Sequence, residues 1–206
     1  SRNIKVGLNL GKVIIGEKYS NKKFGEIKKY PLSISFCKDC KNVQTNEIVN
    51  LHVLWQEYTY LTGQTKAIVK HFEEVARNIS KIKKLNFNDL VVDIGSNDGT
   101  FLKFFKKRNI KVLGVDGAKN VAKIANDNKI QTIDKFFDFK LSKKIKKHYK
   151  NIKIITCFNA FAHSPDLNTI IKGIKEILDD DGIFVFECQY LLDIYRNNIV
   201  GTFFHE

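Results

Sequence analysis

From residue 90 onward, short apolar runs alternate with segments whose apolar residues recur every three or four positions. Runs rich in Val and Ile predict buried strands, and the periodic segments predict amphipathic helices. Strands are placed at 90–94, 112–115, 130–133, 152–158 and 183–186, and helices at 100–107, 118–126, 140–149 and 167–178. Strands joined by helices imply parallel pairing with right-handed crossovers, hence a doubly wound α/β sheet. Ahead of it, Ile68, Phe72, Val75, Ile79 and Ile82 fall at helical spacing and predict a helix over 65–84.

The first 60 residues have a different grain. Short apolar runs around Val6–Leu10 and Val13–Ile15 are punctuated by Gly7, Gly11 and Gly16, and residues 32–36 alternate apolar with polar. Strands and turns without a long helix are expected, giving a small β-rich lobe over 1–60 and a second domain over 61–206.

Composition narrows the class only modestly. The chain has 206 residues, 43% of them hydrophobic and 28% charged, as suits a folded α/β domain. No run approaches the roughly 20 apolar residues of a membrane span. The net charge of +13 invites a nucleic-acid reading. The lysines, however, are spread over 81–84, 103–107 and 140–150, on the predicted outer faces of helices. A solvated basic surface is the preferred account, and it would also attract a diphosphate-bearing small molecule. Cys157 and Cys188 are placed in predicted strands and read as buried small hydrophobes, and no disulfide framework is evident, so a cytoplasmic setting is expected. The chain contains no Met, which fits a processed or partial sequence.

The chemistry-bearing segment follows the strand at 90–94. Asp93-Ile94-Gly95-Ser96-Asn97-Asp98-Gly99 has the form D-x-G-x-x-x-G and opens a helix. Glycines let the backbone turn tightly and approach a ligand, and the helix start presents free N–H groups. A dinucleotide fingerprint needs a glycine where this chain has Asn97. The acid Asp93 disfavours a pyrophosphate and suits a cationic or zwitterionic amino-acid ligand. Asp116, ending the next strand, is placed to accept hydrogen bonds from ribose hydroxyls.

With these residues in view, the chain resembles the class I S-adenosylmethionine-dependent methyltransferases. More narrowly, it resembles the sugar C-methyltransferases that act on nucleotide-linked keto-deoxysugars. The Asp93–Gly99 loop and Asp116 match the cofactor motifs, so the resemblance implies cofactor contacts from Asp93, Gly95, Asn97, Asp98, Gly99 and Asp116. Tyr58-Thr59-Tyr60-Leu61-Thr62-Gly63 is similar to a Y-x-Y-x-S-G segment of that family, implying Tyr60 and Gly63 at the cofactor and substrate cleft. Asn159 and His163 fit its N-x-x-x-H segment, with Asn159 toward the cofactor and His163 toward catalysis. Phe186-Glu187 and the segment up to Phe204-His205-Glu206 resemble the approach to a Y-H-E-H motif, with Phe204 in the tyrosine's place. The resemblance implies catalytic roles for His205 and Glu206, the latter on a sugar hydroxyl. The family's general base would be a histidine immediately beyond Glu206. His52, His71 and His148 are read as surface or structural residues.

Cys37 and Cys40 resemble the second half of a four-cysteine structural zinc module. A tetrahedral site needs four ligands, so two cysteines alone imply weak or no metal binding. The expected molecule is thus a Rossmann-like methyltransferase sheet, incomplete at its C-terminal end, behind a partial zinc-module lobe. Its expected partners are S-adenosylmethionine and a small nucleotide-linked sugar, without membrane or nucleic acid. Methyl transfer to another small molecule or to RNA, and cofactor binding without catalysis, remain the competing readings. The loop pattern argues against a nicotinamide dehydrogenase.

Overall fold

The computed structural model describes residues 3–16, 23 and 26–199. They divide into two compact units, one built from the chain up to Leu54 with the segment from Tyr190, the other from Trp55–Gln189.

The first unit holds an antiparallel sheet of β1 (Ile4–Ile14), β2 (Lys29–Cys37) and β3 (Val43–Thr45) in that order. The glycine punctuation does not break β1 into two runs. One strand passes through it, with register shifts at Val6/Leu8 and Asn9/Lys12, and Gly11 sits at φ +71° within the second. A bulge of this kind absorbs an extra residue, and glycine accepts the left-handed backbone without strain. The alternation in β2 does not give one wet face either. Ser33 and Ser35 are buried while Phe36 is exposed. Ser33 is satisfied by Glu47, whose carboxylate accepts from Ser33 N at 2.8 Å and from Ser33 Oγ at 3.0 Å. This unit also contains α7 (Leu191–Arg196), and the short helix α1 (Leu51–Trp55) leads out of the sheet.

The second unit carries α2 (Lys66–Ile82), β4 (Leu90–Ile94), α3 (Thr100–Lys106), β5 (Lys111–Val115) and α4 (Lys119–Asp127). It continues with β6 (Thr132–Ile133), α5 (Phe139–His148), β7 (Ile152–Phe158), α6 (Leu167–Ile177) and β8 (Ile183–Glu187). All five strands pair in parallel, in the order β6-β5-β4-β7-β8. This is the α/β architecture expected from the alternation of strand and helix.

The strands read as unbroken apolar runs because both faces of the sheet are covered. Leu90, Val92 and Ile94 join one core with Leu113, Val115, Ile155 and Cys157 beneath Leu141, Ile145, Ile170 and Ile174 of α5 and α6. Val91, Ile154 and Phe158 join the other, beneath Ala76 and Ile79 of α2 and Phe101 and Phe105 of α3. Phe101 lies edge-on to Phe72, Phe105 and Phe158, at 5.4, 5.4 and 4.7 Å between ring centres. Such edge-to-face pairs add to the gain from burial alone.

Helix ends follow local chemistry. Asp138 caps α5 by accepting from Leu141 N, and Asp166 caps α6 by accepting from Asn168 N and Thr169 N. Each satisfies amides that the first helical turn leaves unpaired. The α5 lysines 140, 143, 144, 146 and 147 are exposed while Leu141 and Ile145 are buried, as the solvated-face reading requires. Among the described residues no helix is long and apolar enough to cross a membrane.

Candidate active site at the carboxyl edge of the parallel sheet

Strand order reverses at β4. The chain proceeds from β4 outward through β5 and β6, then returns to add β7 on the other side. Such a switch point opens a crevice beyond the carboxyl ends of the strands, where ligands of open α/β sheets bind. The Gly95–Gly99 loop follows β4 at that point, and Asn159–His163 follows β7.

Three residues of the glycine loop have left-handed backbone: Gly95 at φ +76°, Asn97 at +49° and Gly99 at +75°. Space is as restrictive as torsion. A Cβ on Gly95 would lie 2.5 Å from the Cβ of Ala160, and one on Gly99 would lie 2.8 Å from Ile130 Cγ2. The loop therefore packs directly under the β7 turn, bringing the two predicted segments together.

Asn97 and Asp98 act largely on the protein itself. Asn97 Oδ1 accepts from Thr62 N at 3.0 Å, and Asn97 Nδ2 donates to the Tyr60 carbonyl at 3.0 Å. Asp98 Oδ2 accepts from Gly63 N at 2.9 Å, and Oδ1 accepts from Thr100 N at 3.1 Å. These bonds hold the Tyr60–Gly63 segment against the loop. A Cβ on Gly63 would fall 2.8 Å from both Asp98 Oδ2 and Thr100 Oγ1, so a larger residue there would have to displace both side chains.

Asp116, just past β5, accepts from Asn97 N at 2.8 Å and from Ala118 N at 2.8 Å, one bond to each carboxylate oxygen. Each oxygen keeps a second lone pair for an outside donor. Burial raises the Asp116 pKa above its ordinary value, against the lowering effect of the Ala118 and Asn97 amides.

Asp93 is buried one strand away and points into the α2/α3 side of the sheet, opposite Thr156 in the β4–β7 register. Thr156 Oγ1 donates to Asp93 Oδ1 at 2.6 Å. Desolvation nevertheless pushes the Asp93 carboxyl up to about 7, opposed by the Thr156 bond and reinforced by the charge of Asp116. Near neutral pH this carboxyl stands at its titration midpoint, and a cation beside it would favour the ionised form. Burial and the nearby Asp93 charge also hold the Cys157 thiol well above its usual range, which suits a packing role rather than a nucleophile.

Beyond the loop, Tyr60, Tyr58, Trp55 and His163 follow one another by ring contact. Tyr58 and Tyr60 lie 6.1 Å apart, Trp55 and Tyr58 5.3 Å, and Trp55 and His163 4.9 Å. His163 ends a 3-10 turn (Phe161–His163) and is half-buried. Asn159 has left-handed backbone at φ +50° and donates from Nδ2 to Glu187 Oε1 at 2.9 Å.

The structure thus gathers Tyr60, Gly63, Asp93, Gly95, Asn97, Asp98, Gly99, Asp116, Asn159 and His163 in one unit, around the ends of β4, β5 and β7. His205 and Glu206, with Phe204, lie outside the described residues. Sequence reasoning overlooked Thr156, whose role depends on register with Asp93, and Trp55, which carries no local signal. Cys188 corrects an expectation: it is exposed and lies past the end of β8, whereas Cys157 is buried as expected.

Cys37 is buried at the end of β2 and Cys40 is exposed in the following turn. Among the described residues no group of three or more His, Cys, Asp or Glu is placed to hold a metal ion. The residues present do not fit a tetrahedral zinc site.

Comparison with known proteins decides the family. The family described as "Methyltransferase domain" matches residues 68–198. This chain belongs to it. Among curated proteins, the C-methyltransferase NovU of Streptomyces niveus is 30% identical over 177 residues, covering 86% of this chain and 42% of NovU. An uncharacterized protein of Methanocaldococcus jannaschii is 25% identical over 168 residues, covering 71% of this chain and 62% of that protein. The chain therefore spans about half the length of the curated relatives it matches. Among solved structures, a protein of Pyrococcus horikoshii OT3 superposes with a TM-score of 0.52 at 18% identity, over 70% of this chain and 66% of that one. The plantazolicin methyltransferase BpumL, in complex with a pentazolic analog and SAH, gives 0.52 at 16% identity, over 67% and 53%. These likenesses establish the Rossmann-like methyltransferase fold.

Proposed function

We propose that this methyltransferase domain binds S-adenosylmethionine at the β4–β5 edge and directs C-methylation of a nucleotide-linked keto-deoxysugar. The observation that carries the cofactor reading is the pairing of the Gly95–Gly99 cradle with the carboxylates of Asp93 and Asp116 at adjacent strand ends. Residues there fit the group. The two loop glycines let the left-handed loop pack tightly on Ala160 and Ile130 at the strand ends, and Thr100 Oγ1 is buried beside Gly63 without a hydrogen-bond partner. Asp116 would take the ribose hydroxyls with its remaining lone pairs. Asp93, buried at the base of the loop, would favour the cationic amino-acid end electrostatically.

The C-methylation reading rests on the 30% identity to NovU, itself a C-methyltransferase, and on the Asn159/His163 segment beside the loop. When bound, S-adenosylmethionine supplies an electrophilic methyl group on a sulfonium. The chain's own part is to generate a nucleophilic carbon and aim it. A keto group acidifies the neighbouring C–H, and an imidazole at this edge removes that proton. His163 is the candidate among the described residues, with His205 proposed alongside it and Glu206 proposed to bind a sugar hydroxyl. General base catalysis of this kind contributes about 10²–10⁴-fold. The aromatic strip Tyr60–Tyr58–Trp55 would exclude water and fix the acceptor's orientation. Cys37 and Cys40 are proposed as part of a structural zinc module only in combination with further ligands. The acceptor would be a small soluble molecule met in the cytoplasm.

The test uses the full-length protein with methyl-labelled S-adenosylmethionine and a dTDP-linked 4-keto-6-deoxyhexose. Expected are a product carrying the label on carbon and, with S-adenosylhomocysteine in place of the donor, deuterium exchange from D2O into the C–H beside the keto group. Label on oxygen or nitrogen, or no exchange, would refute the C-methylation mechanism.

A further inference from the structure

Glu187 ends the edge strand β8, two strand positions from the β4 loop, or roughly 10 Å at the spacing of paired strands. Its carboxylate is gripped from two sides. Asn159 Nδ2 donates to Oε1 at 2.9 Å, and His71 Nε2 lies 2.7 Å from Oε2. The Glu187 carbonyl also accepts from Asn159 N at 2.8 Å. Both side chains remain open to solvent, 45% for His71 and 37% for Glu187. A carboxylate has about four acceptor positions, and two are used here.

Glu187 differs from the other acids that form ion pairs among the described residues. Asp127, Glu176, Asp179 and Asp181 are each neutralised by a lysine. Glu187 has only an imidazole as its ion-pair partner among the described residues. It is therefore an oriented, half-open acceptor, placed beside Asn159 and next to Ala160, which touches Gly95.

We propose that Glu187 is an acceptor-binding residue that takes hydrogen bonds from hydroxyls on a neutral ring of the methyl acceptor. His71 is the positioning residue behind it. A sugar ring meets this description, whereas a phosphate placed here would be repelled. The inference rests on the proposed sugar reading and extends it to a specific contact.

The competing account is mechanical. α2 lies antiparallel along β8, tied by His71–Glu187 at one end and by Lys83–Asp181, at 2.7 Å, at the other. If the His71 pair is only a clamp, disrupting either end should have the same effect.

The experiment titrates dTDP-4-keto-6-deoxyglucose calorimetrically into full-length protein saturated with S-adenosylhomocysteine. Wild type is compared with Glu187→Gln, His71→Ala, His71→Gln and Lys83→Ala. Loss of a hydrogen bond to a charged group predicts sugar binding weakened about tenfold or more in Glu187→Gln. His71→Ala should weaken it several-fold, with recovery in His71→Gln, which keeps a donor. Lys83→Ala should bind sugar as wild type does, and all variants should hold S-adenosylhomocysteine within about twofold. Sugar affinity unchanged in Glu187→Gln, or Lys83→Ala matching His71→Ala, would overturn the inference while leaving the sugar reading intact. Wild type that binds S-adenosylhomocysteine but not the sugar would overturn both.

Discussion

Asp93→Asn is the substitution for which the structure makes the sharpest quantitative demand. The carboxyl is buried, has Thr156 Oγ1 as its hydrogen-bond partner, and is pushed from 3.8 up to about 7. Between about pH 4 and 7 the folded state holds a proton that the unfolded chain has released, so stability falls as pH rises through that window. The rise corresponds to about 4 kcal/mol of destabilisation once the carboxylate is fully ionised. Asp93→Asn keeps the shape and the acceptor for Thr156 Oγ1 but cannot ionise. Urea unfolding of the ligand-free protein at pH 5, 6, 7 and 8 should therefore give two diverging curves. The variant should already be more stable than wild type by about 1–2 kcal/mol at pH 5, and by about 4 kcal/mol at pH 8. At pH 8 this raises the melting temperature by roughly 10 °C for a chain of this size. Binding should move the other way, because removing the carboxylate removes the partner for a cationic ligand. Parallel stability curves from pH 5 to 8 would refute the buried-carboxyl account.

Gly95→Ala places a Cβ 2.5 Å from Ala160 on a left-handed residue; a loss of roughly 1–3 kcal/mol in stability, together with loss of S-adenosylmethionine binding, should show in melting curves with and without ligand. Asp116→Ala strips the acceptor from two backbone amides and from the ribose hydroxyls, so cofactor affinity should fall at least about tenfold by calorimetry. Asn97→Ala cuts the link to Tyr60 and Thr62; faster amide exchange over 58–64 is expected, with exchange in β7 unchanged. His163→Ala should abolish most turnover while leaving cofactor affinity within about twofold; a proportional loss of both would assign His163 to cofactor binding instead.

The parallel sheet is the most legible part of the sequence. Residues 90–94 and 152–158 become β4 and β7 to the residue, because strands covered on both faces leave an uninterrupted Val/Ile signature. α2 is equally clear from its apolar stripe. The first unit is harder to read, since Gly7 and Gly11 look like turns yet lie within one bulged strand, and Ser33 is buried through a partner 14 positions away. α1 and α7 are too short to show a helical period. In the site, Gly95, Gly99 and Asp116 are visible because their roles are local: torsion, close approach and strand-end position. The Asp93–Thr156 bond and the Glu187–His71–Asn159 cluster depend on strand register and on how α2 crosses β8. No local pattern records either, which is why His71 reads as an ordinary surface residue.

The most direct test of the central claim is parallel calorimetry of the protein with S-adenosylmethionine and with NAD. The account predicts saturable, one-to-one binding of S-adenosylmethionine that Asp116→Ala weakens at least about tenfold, and no detectable heat of binding for NAD. Binding of NAD without S-adenosylmethionine would contradict it.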